Sequence, residues 1–233
     1  NHKDVSLNKI QAAPAAAGDF LHSVDTPALL VDLDALEDNL VRVHARILQA
    51  GLKVRPHGKA HKSPAIAHKQ IGAGAHGICC QKVSEAEVFV DAGIQDVLIT
   101  NQIVGMRKVD RLAVLAGRAH IGVCVDHPIQ VEQIGDAVVK EGTHIDVLIE
   151  VDIGHGRCGV DSAFAAIDLA RTIQQYHPHL RFAGIHAFRG SAQHLRQPQE
   201  RAAAVTSAVE KGRSIVQELS LIHISEPTRL RRI

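Results

Sequence analysis

From Asp25 onward, short runs of Val, Ile and Leu alternate with longer segments in which apolar residues recur every three or four positions. The short runs predict strands and the longer segments helices, and their regular succession predicts βα units around a parallel sheet. Strands are expected at ALLVDL (28–33), LKVRP (52–56), HGICC (76–80), DVLIT (96–100), HIGVCV (120–125), IDVLIEV (145–151) and RFAGIHA (181–187). Helices are expected over 34–49, 63–71, 84–92, 104–116, 128–140, 162–175 and 198–218. Asp34 with Glu37, and Ser84 with Glu87, have the spacing of capping boxes. Roughly seven such repeats, about thirty residues apart, exceed a compact open sheet and point to an α/β fold of the (β/α)8 TIM-barrel type. A doubly wound sheet is the alternative, but no strand is followed by G-x-G-x-x-G, so dinucleotide binding has no support.

The 233 residues, 45% of them hydrophobic, suffice for one large core. Residues 1–24, with the stretch AAPAAAGD, have no sustained period and read as a loose lead-in; 25–218 form the barrel domain. Residues 219–233 are short and basic, break the pattern, resemble a translated sequencing adapter, and are set apart as a tail. Lys plus Arg (26) balance Asp plus Glu (25), so net charge draws the molecule to neither nucleic acid nor anionic lipid, and a small-molecule partner is expected. No apolar run approaches the ~18 residues of a membrane span, and the first ten residues lack a secretory pattern, so the expected location is cytoplasmic. The four cysteines, Cys79, Cys80, Cys124 and Cys158, show no C-x-x-C spacing and read as reduced thiols.

Three polar clusters stand at predicted strand ends, where a barrel builds its active site. The first is Arg55-Pro56-His57-Gly58-Lys59-Ala60-His61-Lys62. His57 and His61 have i, i+4 metal-ligand spacing, but Pro56 and Gly58 oppose a helix and Lys59 and Lys62 repel a cation, so no metal site is assigned. Positive neighbours disfavour protonation of Lys59, and a free amine is what a Schiff-base nucleophile requires. A solvated basic loop or a phosphate patch is the competing reading. The second cluster runs from Glu150 to Val160, with glycines that admit close backbone approach and Arg157 as a fork of donors. The third is His186 to Ser191 followed by Gln193 and His194; Phe188 could lie against a flat ring or in the core, and His194 could serve as acid or base.

The segments DTPALLVDLDALEDNL, RPHGKAHK, GICCQKVSEAE, VDIGHGRCGV and FAGIHAFRGSAQH, in this order, resemble the fold-type III pyridoxal-phosphate enzymes that share the alanine racemase N-terminal domain. Within that group they are most similar to the D-threonine aldolase and D-3-hydroxyaspartate aldolase branch. The resemblance implies that Lys59 carries pyridoxal 5'-phosphate, with Arg157, Gln81, Phe188 and His194 in the same pocket. It implies an incomplete barrel of the alanine racemase N-terminal type, with about six strands beginning before Lys59. The segment 28–33 would then belong to a second β domain that is otherwise missing. Phe188 stands where the family often has tyrosine, and Arg189 where it has histidine or glutamine. The GGGTGS segment and the His/Asp pair that binds a divalent metal (manganese or magnesium) do not occur in the chain, so a truncated, poorly soluble fragment of a homodimeric parent is expected. The implied reaction is cleavage of a D-3-hydroxy amino acid, D-threonine or 3-hydroxyaspartate, to glycine and an aldehyde. A dehydratase of the D-serine type, a non-catalytic carrier of the cofactor and a structural barrel are the alternatives.

Overall fold

The computed structural model describes residues 15–221. The chain divides into two compact units, Asn1–Arg42 and Val43–Ile233. In the first, a 3-10 turn at Leu21–Ser23 precedes the start of helix α1 (Leu33–Gln49), which runs on into the second unit. The run 28–33 is not a strand: 28–32 lies outside regular structure, pairs with no other segment among the described residues, and leaves Leu29 and Leu30 exposed. Nor does Asp34 cap α1. Asp32 does, its Oδ1 accepting the Ala35 N–H at 3.0 Å.

The second unit is built on a five-stranded parallel sheet in the order β1 (Ile78–Cys80), β2 (Asp96–Ile99), β3 (His120–Val125), β4 (Ile145–Val151), β5 (Leu180–Ala187). Helices α3 (Val83–Asp91), α4 (Met106–Leu115), α5 (Pro128–Glu141) and α6 (Ala163–Gln175) make the crossovers; α2 (Pro64–Gly72) precedes β1 and α7 (Pro198–Leu221) follows β5. α7 thus takes in Leu219, which is buried, and the rest of the expected tail from 222 lies outside the described residues. The sixth expected strand, 52–56, is not a regular strand. Its end lies beside β1 through Val54 and Pro56, whose carbonyls accept the His76 and Cys79 N–H groups at 2.8 Å, and through a bridge of His57 to Cys79. Pro56 has no N–H to return, which limits the ladder there.

Helix boundaries follow local chemistry. Ser63 and Ser162 cap α2 and α6 with their hydroxyls. α5 starts at Pro128 and stops at Gly142, whose φ of 68° suits the left-handed cap that glycine takes most easily. The Ser84/Glu87 capping box is absent: α3 begins at Val83, and the Gln81 N–H goes to the Glu85 carboxylate at 2.9 Å. Among the described residues no helix is long and apolar enough to cross a membrane.

The two faces of the sheet differ. Val97, Ile99, Ile121, Val123, Ile145, Val147 and Ile149 are fully buried, in one cluster with Leu112, Ile134 and Leu169 of the helices. The other face carries the row Leu98, Gly122 and Leu148 and opens into a cavity of about 770 Å³ that also meets α7. Around the N-terminal ends of the strands this cavity is lined by a ladder of charge. Arg55 pairs with Asp96 at 2.5 Å; His120 lies 3.2 Å from Asp96 and 2.9 Å from Asp146; Arg181 Nε donates to Asp146 at 2.6 Å. A bulge between Val147 and Leu148 shifts β5, so that Arg181 stands opposite Asp146 and His186 opposite Glu150.

Burial pushes the Asp96 carboxyl up, but the Arg55 and His120 contacts outweigh it and hold the group below its ordinary value. A carboxyl that titrates below its unfolded value of about 3.9 contributes stability fully above that pH and loses it as pH falls through the folded value. Asp96→Asn is therefore expected to lower stability at neutral pH by about 1–3 kcal/mol, because Arg55 is left without its partner. It should also lose less further stability on acidification to about pH 3 than the unsubstituted chain. Urea titrations at the two pH values check both outcomes.

Candidate active site

All five strands point the same way, so their C-terminal ends form one rim, and the sequence clusters fall along it. Lys59 sits on a 3-10 turn, Gly58–Ala60, that follows the bridge residue His57. The turn lies against α3: a Cβ at Gly58 would come within 2.4 Å of the Phe89 ring, so only glycine allows that approach. The Lys62 and His61 N–H groups close the turn on the Gly58 carbonyl at 2.7 and 3.3 Å. The Lys59 side chain is exposed, and its backbone N–H donates to His57 Nδ1 at 3.3 Å. His57 Nε2 lies 3.0 Å from Thr100 Oγ1, just past the end of β2.

The other basic neighbours in this cluster are spoken for. Arg55 points to Asp96 at the opposite end of the sheet, Lys62 lies 3.9 Å from Glu85, and the His61 ring accepts the Ser63 N–H at 3.0 Å and lies 3.3 Å from Gln70 Oε1. The expectation that Arg55 stands at the rim beside Lys59 is thereby corrected. Its position in the edge segment turns its side chain towards the aspartate that starts β2.

On the β4–β5 side the central group is Glu150, 2% exposed. Its Oε2 accepts from Gln102 Nε2 at 2.7 Å and lies 3.7 Å from His186 Nδ1, while Oε1 lies 3.7 Å from an Arg157 guanidinium nitrogen. At 3.7 Å the last two are through-space pairs and not hydrogen bonds. Burial pushes the Glu150 carboxyl up, yet His186, Gln102 and Arg157 together hold it below its ordinary value, so it is anionic at neutral pH. Arg157 lies over the Phe188 ring, 5.1 Å from its centroid, and His155 meets the same ring edge-on at 5.2 Å. The loop that carries Arg157 is fixed by Asp152, whose Oδ1 accepts the N–H groups of Gly154, His155 and Gly156 at 2.8–3.0 Å. Those amides hold the Asp152 carboxyl below its ordinary value.

The two sides meet at the segment just past β2, where Thr100 lies 3.0 Å from His57 Nε2 and Gln102 donates to Glu150 at 2.7 Å. Cys124, Glu150 and His186 bring a thiol, a carboxylate and an imidazole within 4.8 Å of one another, a set that could hold a cation. Against that use, Arg157 already shares the carboxylate, and burial pushes the Cys124 thiol up, which disfavours the thiolate a metal needs.

Lys59, Arg157 and Phe188 therefore stand at the rim as the sequence places them, and the last two touch. Gln81 follows β1 with its side chain half-buried. His194 ends the 3-10 turn Gly190–His194, exposed, with no hydrogen bond, ion pair or ring contact to the others among the described residues. Sequence reasoning assigned no role to Thr100, Gln102, Glu150 and His186. The available signal was a polar residue at the C-terminal end of each apolar run, on the side of the strand that the period of two assigns to the sheet's open face.

The alanine racemase N-terminal domain model matches residues 31–226. A D-threonine aldolase of Arthrobacter sp. is 47% identical over 206 residues, 88% of this chain and 54% of that protein. A 3-hydroxy-D-aspartate aldolase of Paracoccus denitrificans (strain Pd 1222) is 38% identical over 208 residues, again 88% of this chain and 54% of that protein. The crystal structure of D-threonine aldolase from Filomicrobium marinum aligns with a TM-score of 0.88 at 47% identity, covering 91% of this chain and 57% of that one. The chain spans about half the length of the curated relatives it matches. The fold is that of the fold-type III class of pyridoxal-phosphate proteins. The chain belongs to the alanine racemase N-terminal domain family.

Glu150→Ala is expected to cost about 1–3 kcal/mol, since it leaves Gln102, His186 and Arg157 facing a buried gap. Glu150→Gln, whose amide oxygen can still accept from Gln102, should cost less. Denaturant midpoints of the two variants measure the difference.

Proposed function

We propose that this chain is the cofactor-bearing part of a pyridoxal-phosphate aldolase that cleaves a D-3-hydroxy amino acid, D-threonine or 3-hydroxyaspartate, to glycine and an aldehyde. The observation that carries the reading is the exposed amine of Lys59, on a turn at the strand C-terminal rim that also carries a guanidinium stacked on an aromatic ring. That donor set fits the cofactor: a primary amine for its aldehyde, and a cation, Arg157, over the aromatic face of Phe188, for a flat ring that bears anionic oxygens. His186 Nδ1, buried and without a hydrogen-bond partner among the described residues, is a further polar atom at the same rim that a ligand could engage. Bound there, pyridoxal phosphate supplies an electrophilic carbon and a ring that accepts the electron pair of the breaking Cα–Cβ bond.

The chain's own residues do the rest of the work in this reading. Lys59 would hold the cofactor through its side-chain amine. Glu150, anionic and buried, keeps Arg157 at the rim and balances its charge. Gln81 offers an amide at the end of β1, and Phe188 forms the floor under Arg157. His194, exposed on its turn with its ring open to a ligand, is the group we assign to take the proton of the substrate's 3-hydroxyl. The divalent metal implied by the resemblance has no ligand set assigned in this chain.

Fusing this chain to the C-terminal half of the Arthrobacter relative tests the proposal. The hybrid is expected to release acetaldehyde and glycine from D-threonine, with Lys59→Ala reducing the rate by at least about a thousandfold, as loss of a covalent catalytic group does. Release of ammonia and a keto acid instead would assign the site to elimination.

A further inference from the structure

The Lys59 turn is held by a histidine whose hydrogen-bonding state can be deduced. A backbone N–H can only donate, so His57 Nδ1, 3.3 Å from the Lys59 nitrogen, must present its lone pair. In the neutral ring the proton then sits on Nε2, 3.0 Å from Thr100 Oγ1. Thr100 can accept it, because its own hydroxyl proton goes to the Cys80 carbonyl at 3.3 Å, and its backbone N–H donates to the same carbonyl at 3.0 Å. The chain of contacts thus runs from the end of β1 through Thr100 and the imidazole to the backbone of Lys59. A second proton on the ring would have to occupy Nδ1 and would abolish the cap on Lys59.

We propose that His57 is a positioning residue, a neutral imidazole of one tautomer that ties the turn bearing Lys59 to Thr100 and so presents the Lys59 amine at the rim. The proposal rests on the reading of Lys59 as the amine that takes the cofactor. The groups facing the ring agree with a neutral imidazole. Burial and the charges of Lys59 and His186 push its pKa below the ordinary value, and only Glu85 pulls the other way. His57 does not itself touch the reacting atoms in this role; it acts through the lysine backbone.

Two measurements on the full chain test it. In the first, nitrogen-15 spectra of the unsubstituted protein are expected to show His57 as the Nε2–H tautomer, titrating below the ordinary histidine value of about 6.5. The opposite tautomer, or a ring doubly protonated at neutral pH, would overturn the proposal whatever the variants do. In the second, pyridoxal phosphate is added, the product is reduced with borohydride, and the rate of labelling at Lys59 is followed by peptide mapping. His57→Ala should slow that rate about three- to tenfold, the worth of one hydrogen bond. His57→Asn, whose side-chain oxygen can still accept the Lys59 N–H, should recover most of it. Labelling falls at low pH in every variant as the lysine amine protonates, but the unsubstituted chain should show an additional fall, as His57 protonates, that His57→Asn lacks. Equal rates and equal pH profiles in all three proteins would refute the latch while leaving Lys59 as the cofactor site. A label on a different lysine, or on none, would instead refute the reading of Lys59, and the tautomer measurement would then decide the latch alone.

Discussion

Parallel pairing is the constraint on which the rest of the molecule depends. Each of the five strands is hydrogen-bonded in the same direction as its neighbours, so every crossover helix must return the chain to the same starting edge. The residues that follow each strand are therefore gathered at one rim without any further instruction. Gln81, Thr100, Arg157 and Phe188 are far apart in sequence and share that rim for this reason, and Lys59 joins them through the bridge of His57 to Cys79 beside β1.

The same pairing sorts side chains into layers on the open face of the sheet. At the N-terminal ends lie Asp96, His120, Asp146 and Arg181, cross-linked by charge; in the middle lie Leu98, Gly122 and Leu148; at the C-terminal ends lie Thr100, Cys124, Glu150 and His186. The bottom layer ties strand to strand and has every partner it needs. The top layer is different in kind. Glu150 balances Arg157 and His186 at distances too long for hydrogen bonds, and His186 keeps a buried nitrogen without a partner. An arrangement that is closed at one end and open to further contacts at the other is what separates a stabilising face from a binding face.

Much of this was legible in the residues, and the reasons for the remainder are physical. The alternation in IDVLIEV marks both faces of β4, with Ile145, Val147 and Ile149 against the helices and Asp146 and Glu150 on the other side. The glycine and lysine of RPHGKAHK could be placed at a strand end by the apolar run before them. What periodicity could not show was the bulge in β5, because one extra residue leaves the apolar pattern almost unchanged yet moves His186 opposite Glu150. It also misread ALLVDL, where the strand-like composition finds no neighbouring strand in the described residues, and Asp32 starts a helix instead. The direction of Arg55 was equally hidden, since it is decided by Asp96, some forty residues away in sequence.

In the function proposed for this rim, one amine, that of Lys59, carries the cofactor. The direct measurement is the electron density of crystals of this chain grown with pyridoxal phosphate. The expected density is continuous between the cofactor and Lys59 Nζ, with Arg157 beside it over Phe188. A ring joined to Lys62 or Lys82, or lodged in the cavity at the strand N-terminal ends, would contradict it.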